Sequence, residues 1–168
     1  KYAVAPLIDL VQDEEEKSVY LKESAASALG AIGDMRAIDP LVSILEAKQG
    51  FLDKFSFLKE RVIEALGKLN LDNRKVLKAL KKSLLDSSPM VRINAIEAIM
   101  NSDSDEAPEL IRSCLKDEDK EVQKNALIAM YNLEGKDIID EVLLSNEYSD
   151  YLKEEAQDLL NEYEADDE

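Results

Sequence analysis

Residues 20–34 read YLKESAASALGAIGD, and the same apolar template returns in FLKERVIEALGKLN from Phe57, MVRINAIEAIMN from Met90, EVQKNALIAMYNLEG from Glu121 and YLKEEAQDLLNEYEA from Tyr151. The anchors Leu21, Leu58, Val91, Val122 and Leu152 are spaced by 37, 33, 31 and 30 residues. Four places beyond them stand Ala25, Val62, Ala95, Ala126 and Ala156. Seven and eight places beyond come Ala28/Leu29, Ala65/Leu66, Ala98/Ile99, Ala129/Met130 and Leu159/Leu160. On a helix of about 3.6 residues per turn these steps draw one stripe, whereas a strand requires alternation. Recurrence at this period marks a repeat architecture.

A second helix precedes each of these. APLIDLV (5–11), DPLVSIL (39–45), VLKALKKSLL (76–85), APELIRSCL (107–115) and IIDEVLL (138–144) carry apolar residues at three- and four-residue steps. The unit is therefore a helical hairpin, with repeats expected at about 1–34, 35–72, 73–104, 105–135 and 136–168. The sequence thus predicts an all-α chain, a single domain forming an α–α superhelix of about five antiparallel hairpins.

Punctuation agrees. Pro6, Pro40 and Pro108 open first helices and Pro89 opens a second one, where a missing N–H costs nothing. Gly30, Gly33, Gly67 and Gly135 lie near the ends of second helices, where a left-handed turn is expected. Three residues before the anchors stand Ser18, Ser88, Asp119 and Ser149, a column of N-caps. In the second repeat Phe55 holds that slot and Ser56 follows it.

Over Ser24 to Leu45, SAASALGAIGDMRAIDPLVSIL resembles the HEAT repeats of the phycobilisome-lyase type, whose units read as an Ala-Leu-Gly-x-Ile-Gly-Asp helix end, a short turn and a Pro-Leu helix start. Later repeats depart from that pattern: ALGKLN lacks the second Gly and the Asp, and AIMNSD lacks both glycines. The resemblance implies a superhelical stack that holds other proteins, with the second helices lining its concave side. It also implies, as alternatives, a subunit of a bilin lyase-like enzyme that holds a tetrapyrrole, or a purely structural segment of a larger array. KYAVAPLIDLV aligns on MRAIDPLVSIL at an offset of 34, so another repeat is expected before Lys1, covering an apolar flank around Leu7, Leu10 and Leu29. The acidic NEYEADDE end reads as a water-facing cap.

Composition narrows the function. With 21 Lys and Arg against 37 Asp and Glu, the net charge of −16 repels nucleic acid and anionic lipid, and favours basic or apolar partners. The absence of histidine removes imidazole metal ligands and histidine-based triads. Cys114 alone forms no intrachain disulfide, and its place in LIRSCL reads as a small buried thiol. No apolar run is long enough to cross a bilayer, and a cytoplasmic protein fits best. NSDSDEAPELIR starts like a calcium loop but has Glu106 where glycine belongs and Arg112 where glutamate belongs. The glycines lack the Lys-Ser/Thr of a phosphate loop. No catalytic residue, cofactor or metal site is expected, and the partner is another protein or peptide.

Two features are candidates for contact with that partner. Phe51, Phe55 and Phe57 are the only phenylalanines. Phe51 and Phe55 continue the core stripe if the helix begins early, or belong to a loop folded over the hairpin seam if Ser56 is the cap. Phe57 shares a column with Tyr20, Met90, Glu121 and Tyr151 at the groove edge, and is the one expected to touch a ligand. The second feature lies two, six and nine places beyond the anchors, read as the outward face. There the outer repeats hold Glu23/Ser27/Gly30, Glu60/Glu64/Gly67 and Glu154/Asp158/Asn161, but the third and fourth hold Ile93/Glu97/Met100 and Lys124/Ile128/Tyr131. Either this is an apolar docking patch rimmed by Glu97 and Lys124, or curvature buries Met100 and Tyr131 and leaves scattered isoleucines.

Overall fold

The structure, a computed structural model, describes residues 2–13, 15–46, 56–69, 73–102 and 104–166, and all regular structure among them is helical. The helices are α1 (Val4–Gln12), α2 (Val19–Ile32), α3 (Ile38–Glu46), α4 (Ser56–Leu69), α5 (Arg74–Ser83), α6 (Pro89–Met100), α7 (Ala107–Ser113), α8 (Lys120–Glu134), α9 (Lys136–Leu144) and α10 (Asp150–Asp166). A 3-10 turn at Met35–Ala37 leads into α3, and another at Cys114–Lys116 follows α7. Each first helix packs on the second helix after it, as the repeat pattern predicts. The chain forms two compact units, residues 1–104 and 105–168. The first holds α1–α6 and the second α7–α10.

In the first unit α2, α4 and α6 lie side by side in that order, as do α1, α3 and α5. Leu29, Leu41, Ile63, Leu66, Leu80, Ile96 and Ile99 fill the space between these rows and are fully buried. The anchors Leu58 and Val91 are buried as well. Leu21 is 43% exposed; among the described helices α2 has another second helix, α4, on one side only. Leu29 does not join an apolar flank with the half-buried Leu7 and Leu10: eight places beyond the anchor, it points into the hairpin interior. In the second unit Ile111, Leu115, Leu127, Met130 and Ile138 form the core, with Cys114 buried beside them.

The N-cap column is in place: Ser18, Ser88, Asp119 and Ser149 accept from the backbone N–H of Leu21, Val91, Val122 and Leu152. The glycines divide. Gly33 and Gly135 have φ of 72° and 69° and end α2 and α8, a conformation that disfavours a side chain. Gly30 and Gly67 instead lie inside α2 and α4, and serve helix contact rather than termination. A Cβ on Gly30 would stand 2.7 Å from the Ala65 Cα, and one on Gly67 would stand 3.4 Å from the Ala98 Cβ.

A second periodic device holds the hairpin turns. One place beyond the anchor stands Lys22, Lys59, Arg92 or Gln123, and each long donor reaches a turn between first and second helix. Lys22 Nζ donates to the Asp13 carbonyl, the Arg92 guanidinium to the Asp86 carbonyl at 2.8 Å, and Gln123 Nε2 to the Asp117 carbonyl. Lys59 crosses to the next hairpin, where its Nζ donates to Asp86 Oδ2 at 2.7 Å with both side chains nearly buried. Ion pairs also join successive first helices. Lys75 meets Asp39 at 2.7 Å and Lys82 meets Glu46 at 2.9 Å between α5 and α3. Arg112 of α7 binds Glu141 of α9 and Glu134 of α8.

Candidate functional site

Position on each second helix decides what a partner can touch. Helical rotation places the residues six beyond the anchors on the water side, and Ser27, Glu97, Ile128 and Asp158 are exposed there, with Glu64 half-buried. The residues two and nine beyond do not all face outward. Gly30 is buried against α4 and Glu60 is only 5% exposed, because these positions lie along the edges where neighbouring second helices meet.

Among the residues proposed for binding, Ile93 and Met100 of α6 are half-buried and Glu97 between them is exposed. On α8, in the second unit, Ile128 is exposed and Tyr131 half-buried. Lys124 is already engaged: its Nζ lies 2.8 Å from Glu155 Oε2 of α10, which raises the lysine pKa and lowers that of the glutamate. Phe57 stands 67% exposed on the first turn of α4. Phe51 and Phe55 lie outside the described residues.

The column that holds Phe57 is the more prominent feature in the first unit. Tyr20 on α2 is 74% exposed and Met90 on α6 is 51% exposed. Three large apolar side chains thus occupy one equivalent position on three adjacent helices, with most of their surface in water. In the second unit the column continues as exposed Glu121 and half-buried Tyr151. The Lys120 ammonium lies 4.8 Å from the Tyr151 ring centroid, and burial with a hydrogen bond to Glu155 pushes the Tyr151 hydroxyl up to about 12.

Sequence reasoning missed Glu60. Its neighbours in sequence are both committed elsewhere, Lys59 to Asp86 and Arg61 to Glu64 at 2.6 Å. No hydrogen bond or ion pair reaches the Glu60 carboxylate among the described residues. Burial, reinforced by the charge of Glu23, pushes its pKa up, and the nearby Arg61 only partly opposes this. The signal available in sequence was the recurrence of an aromatic-Leu-Lys-Glu tetrad at Tyr20–Glu23, Phe57–Glu60 and Tyr151–Glu154.

No group of three His, Cys, Asp or Glu side chains among the described residues is placed to hold a metal ion, and no helix among them is long and apolar enough to cross a membrane. In the calcium-loop-like stretch Asp103 lies outside the described residues. Asn101 there donates its Nδ2 to the Glu97 carbonyl at 2.9 Å, and Arg112 is held by the two glutamates.

Comparison with known proteins agrees with this architecture. HEAT repeats match residues 51–131 and 86–161, and the PBS lyase HEAT-like repeat matches residues 21–47. No curated protein matches the chain significantly. Among solved structures, a designed armadillo repeat protein is similar at 21% identity and a TM-score of 0.52, over 93% of this chain and 80% of that one. An engineered protein is similar at 19% identity and a TM-score of 0.51, over 92% of this chain and 76% of that one. These likenesses show an all-α, armadillo-like repeat solenoid fold. The two HEAT-repeat matches together span 51–161, about two thirds of the sequence, and the chain belongs to the HEAT-repeat family.

Proposed function

We propose that this chain is a non-catalytic protein-binding scaffold of the cytoplasm, which takes a protein or peptide partner along the exposed face of its second helices. The observation that carries this reading is the row of Tyr20, Phe57 and Met90, each more than half exposed at the same place on α2, α4 and α6. Water alone gives no reason to hold an aromatic or methionine at that position three times over, and clustered exposed apolar side chains are what docking surfaces offer. Ile93, Glu97 and Met100 share one stripe of α6 and extend the same unit's surface. Lys124, Ile128 and Tyr131 form a corresponding stripe on α8, with Ile128 the side chain most open to a partner. The absence of histidine and the acidic net charge of −16 support a binding role over catalysis and over nucleic acid recognition.

Substituting serine for Tyr20, Phe57 and Met90 together tests it. These side chains contribute little to the core, so the variant should keep the wild-type melting temperature. Proteins captured from the source cell by the wild type should be lost. An unchanged set of captured proteins would refute the docking row, and the same comparison with Ile128→Ser decides the contribution of α8.

A further inference from the structure

We propose that the outward ridge of α5, formed by Arg74, Lys78 and Lys81 and ending at Leu85, docks an acidic segment of a partner protein that carries an apolar side chain beside its carboxylates. The ridge belongs to the row of first helices, so the proposal stands apart from the docking row of Tyr20, Phe57 and Met90 on the second helices.

From Asn73 to Leu85 the sequence NRKVLKALKKSLL holds five of the chain's 21 cations and no acid, in a chain whose net charge is −16. Helical rotation sorts the five into two lines. Lys75 and Lys82 face α3, where they meet Asp39 at 2.7 Å and Glu46 at 2.9 Å. Arg74, Lys78 and Lys81 follow one another at four- and three-residue steps on the side opposite the buried Val76, Ala79, Leu80 and Ser83, and all three are exposed. The turn after the helix, closed by a hydrogen bond from the Leu85 N–H to the Lys82 carbonyl at 3.0 Å, carries this line on to Leu85, which is 87% exposed. Among the described residues neither Arg74 nor Lys78 forms an ion pair, and Lys78 acts on Glu46 by its charge alone.

Helix stability does not account for the arrangement. Arg74 and Lys75 open α5, at the end where the helix dipole disfavours positive charge, and Lys78 repels Arg74 one turn before it and Lys81 one turn after it. Asp39 offsets the cost for Lys75, and a place in the last turn suits Lys81 and Lys82. Arg74 and Lys78 have neither. Solvent does not demand cations here: of the other first helices, α1 and α3 carry none, α7 carries only Arg112, which is bound to Glu134 and Glu141, and α9 carries only Lys136. Charge complementarity therefore selects a partner with carboxylates, and Leu85 offers the apolar contact at the end of the ridge. At about 1.5 Å per helical residue the ridge runs about 16 Å from Arg74 to Leu85, a span that about five extended residues cover. Asp39 and Glu46 lie along one side and Asp86 follows the end, so a short acidic segment fits while a longer phosphate backbone runs onto carboxylates. Charges are screened over about 8 Å at physiological salt, so contact is decided by these groups more than by the net charge.

Fluorescence anisotropy at physiological ionic strength with short labelled peptides tests the proposal. One peptide is a run of glutamates ending in leucine, and a second carries glutamine in place of each glutamate. The proteins are the wild type, Arg74→Gln with Lys78→Gln, Leu85→Ser, and a charge-matched control, Lys17→Gln with Lys136→Gln, at two exposed lysines outside α5. The glutamate peptide should bind the wild type, lose about tenfold in affinity on Arg74→Gln/Lys78→Gln and about threefold on Leu85→Ser, and change by less than about twofold on the control. Arg74→Gln/Lys78→Gln should keep or raise the wild-type melting temperature, because it removes like-charge repulsion, so its loss of binding is not a loss of fold. Equal losses on both charge variants would overturn the proposal, since attraction would then come from net charge alone. Failure of the glutamate peptide to bind, or equally tight binding of the glutamine peptide, overturns it too. Unchanged affinity on Leu85→Ser refutes the apolar end of the ridge. A labelled single-stranded oligonucleotide that binds more tightly than the glutamate peptide, and is lost on Arg74→Gln/Lys78→Gln, would overturn the protein partner in favour of nucleic acid.

Discussion

Replacing Gly30 by alanine puts the packing of α2 on α4 to a quantitative test. The added methyl carbon would lie 2.7 Å from the Ala65 Cα and 2.9 Å from the Ala65 Cβ. Carbon atoms settle at about 3.5–4.0 Å, so the two helices must separate by about 1 Å. The nearer atom belongs to the backbone of α4 and cannot swing aside. Overpacking of this kind costs about 1–3 kcal/mol, and the backbone clash places Gly30→Ala at the upper end. Alanine's better helix propensity returns about 1 kcal/mol, leaving a net loss of about 2 kcal/mol.

Two other glycines calibrate the measurement. At Gly67 the added carbon meets the Ala98 Cβ at 3.4 Å, a contact that a shift of a few tenths of an ångström relieves. There the propensity gain wins, and Gly67→Ala should be neutral or more stable by about 0.5 kcal/mol. Gly33 has open space but a φ of 72°, so alanine there loses about 1 kcal/mol through backbone strain alone. Urea unfolding followed by circular dichroism should rank the midpoints Gly67→Ala, Gly33→Ala, Gly30→Ala from highest to lowest. Adding Ala65→Gly to Gly30→Ala should recover little, because the closest atom, the Cα, remains. A Gly30→Ala protein as stable as the wild type would refute the close approach.

Glu60→Gln should be more stable than the wild type at neutral pH, because a carboxyl whose folded pKa is raised loses stability as pH rises through that value; the difference should shrink as the solution is acidified into the ordinary carboxylate range, and a pH-independent difference would contradict the assignment. Lys59→Ala leaves the nearly buried Asp86 carboxylate without its ammonium and should cost about 3 kcal/mol in urea unfolding, much of it absent when Asp86→Asn is already in place. The Tyr148 hydroxyl, partly buried and donating to Glu141 at 2.6 Å, is pushed from 10.0 up to about 12, so the unfolded chain gives up this proton first and stability should fall between those pH values; Tyr148→Phe should flatten that fall in thermal melts.

The helices, their pairing and most of their caps could be read from sequence because the apolar period and the N-cap column record the same physics in every repeat. The glycines show where such reading stops. Gly30 and Gly33 are separated by one turn in the same helix end, and helix-ending chemistry accounts equally for both. Only comparison between repeats separates them: Gly30 and Gly67 share the position nine beyond the anchor, which faces the next second helix, whereas Gly33 stands beyond the last turn of α2. A glycine repeated at one position of successive helices reports contact between helices, and a glycine at the boundary reports a turn.

Glu60 was hidden for a related reason. A single-helix wheel treats the position two beyond the anchor as solvent, and for Glu154 on α10, which among the described helices has one second-helix neighbour, it is. On α4 the same position shares the stripe of Gly67 that packs toward α6, and Glu60 there is only 5% exposed. Burial at this place depends on what stands beside the helix and not on the helix's own sequence. The lysine column could have supplied the missing information. Position one beyond the anchor holds a long donor in every repeat, as Lys22, Lys59, Arg92, Gln123 and Lys153, and in the first four it is spent on hairpin turns. A lysine fixed in the turn cannot also neutralise the glutamate that follows it. The cation that does act on Glu60 is Arg61 in the next position, and it offsets the effect of burial only in part.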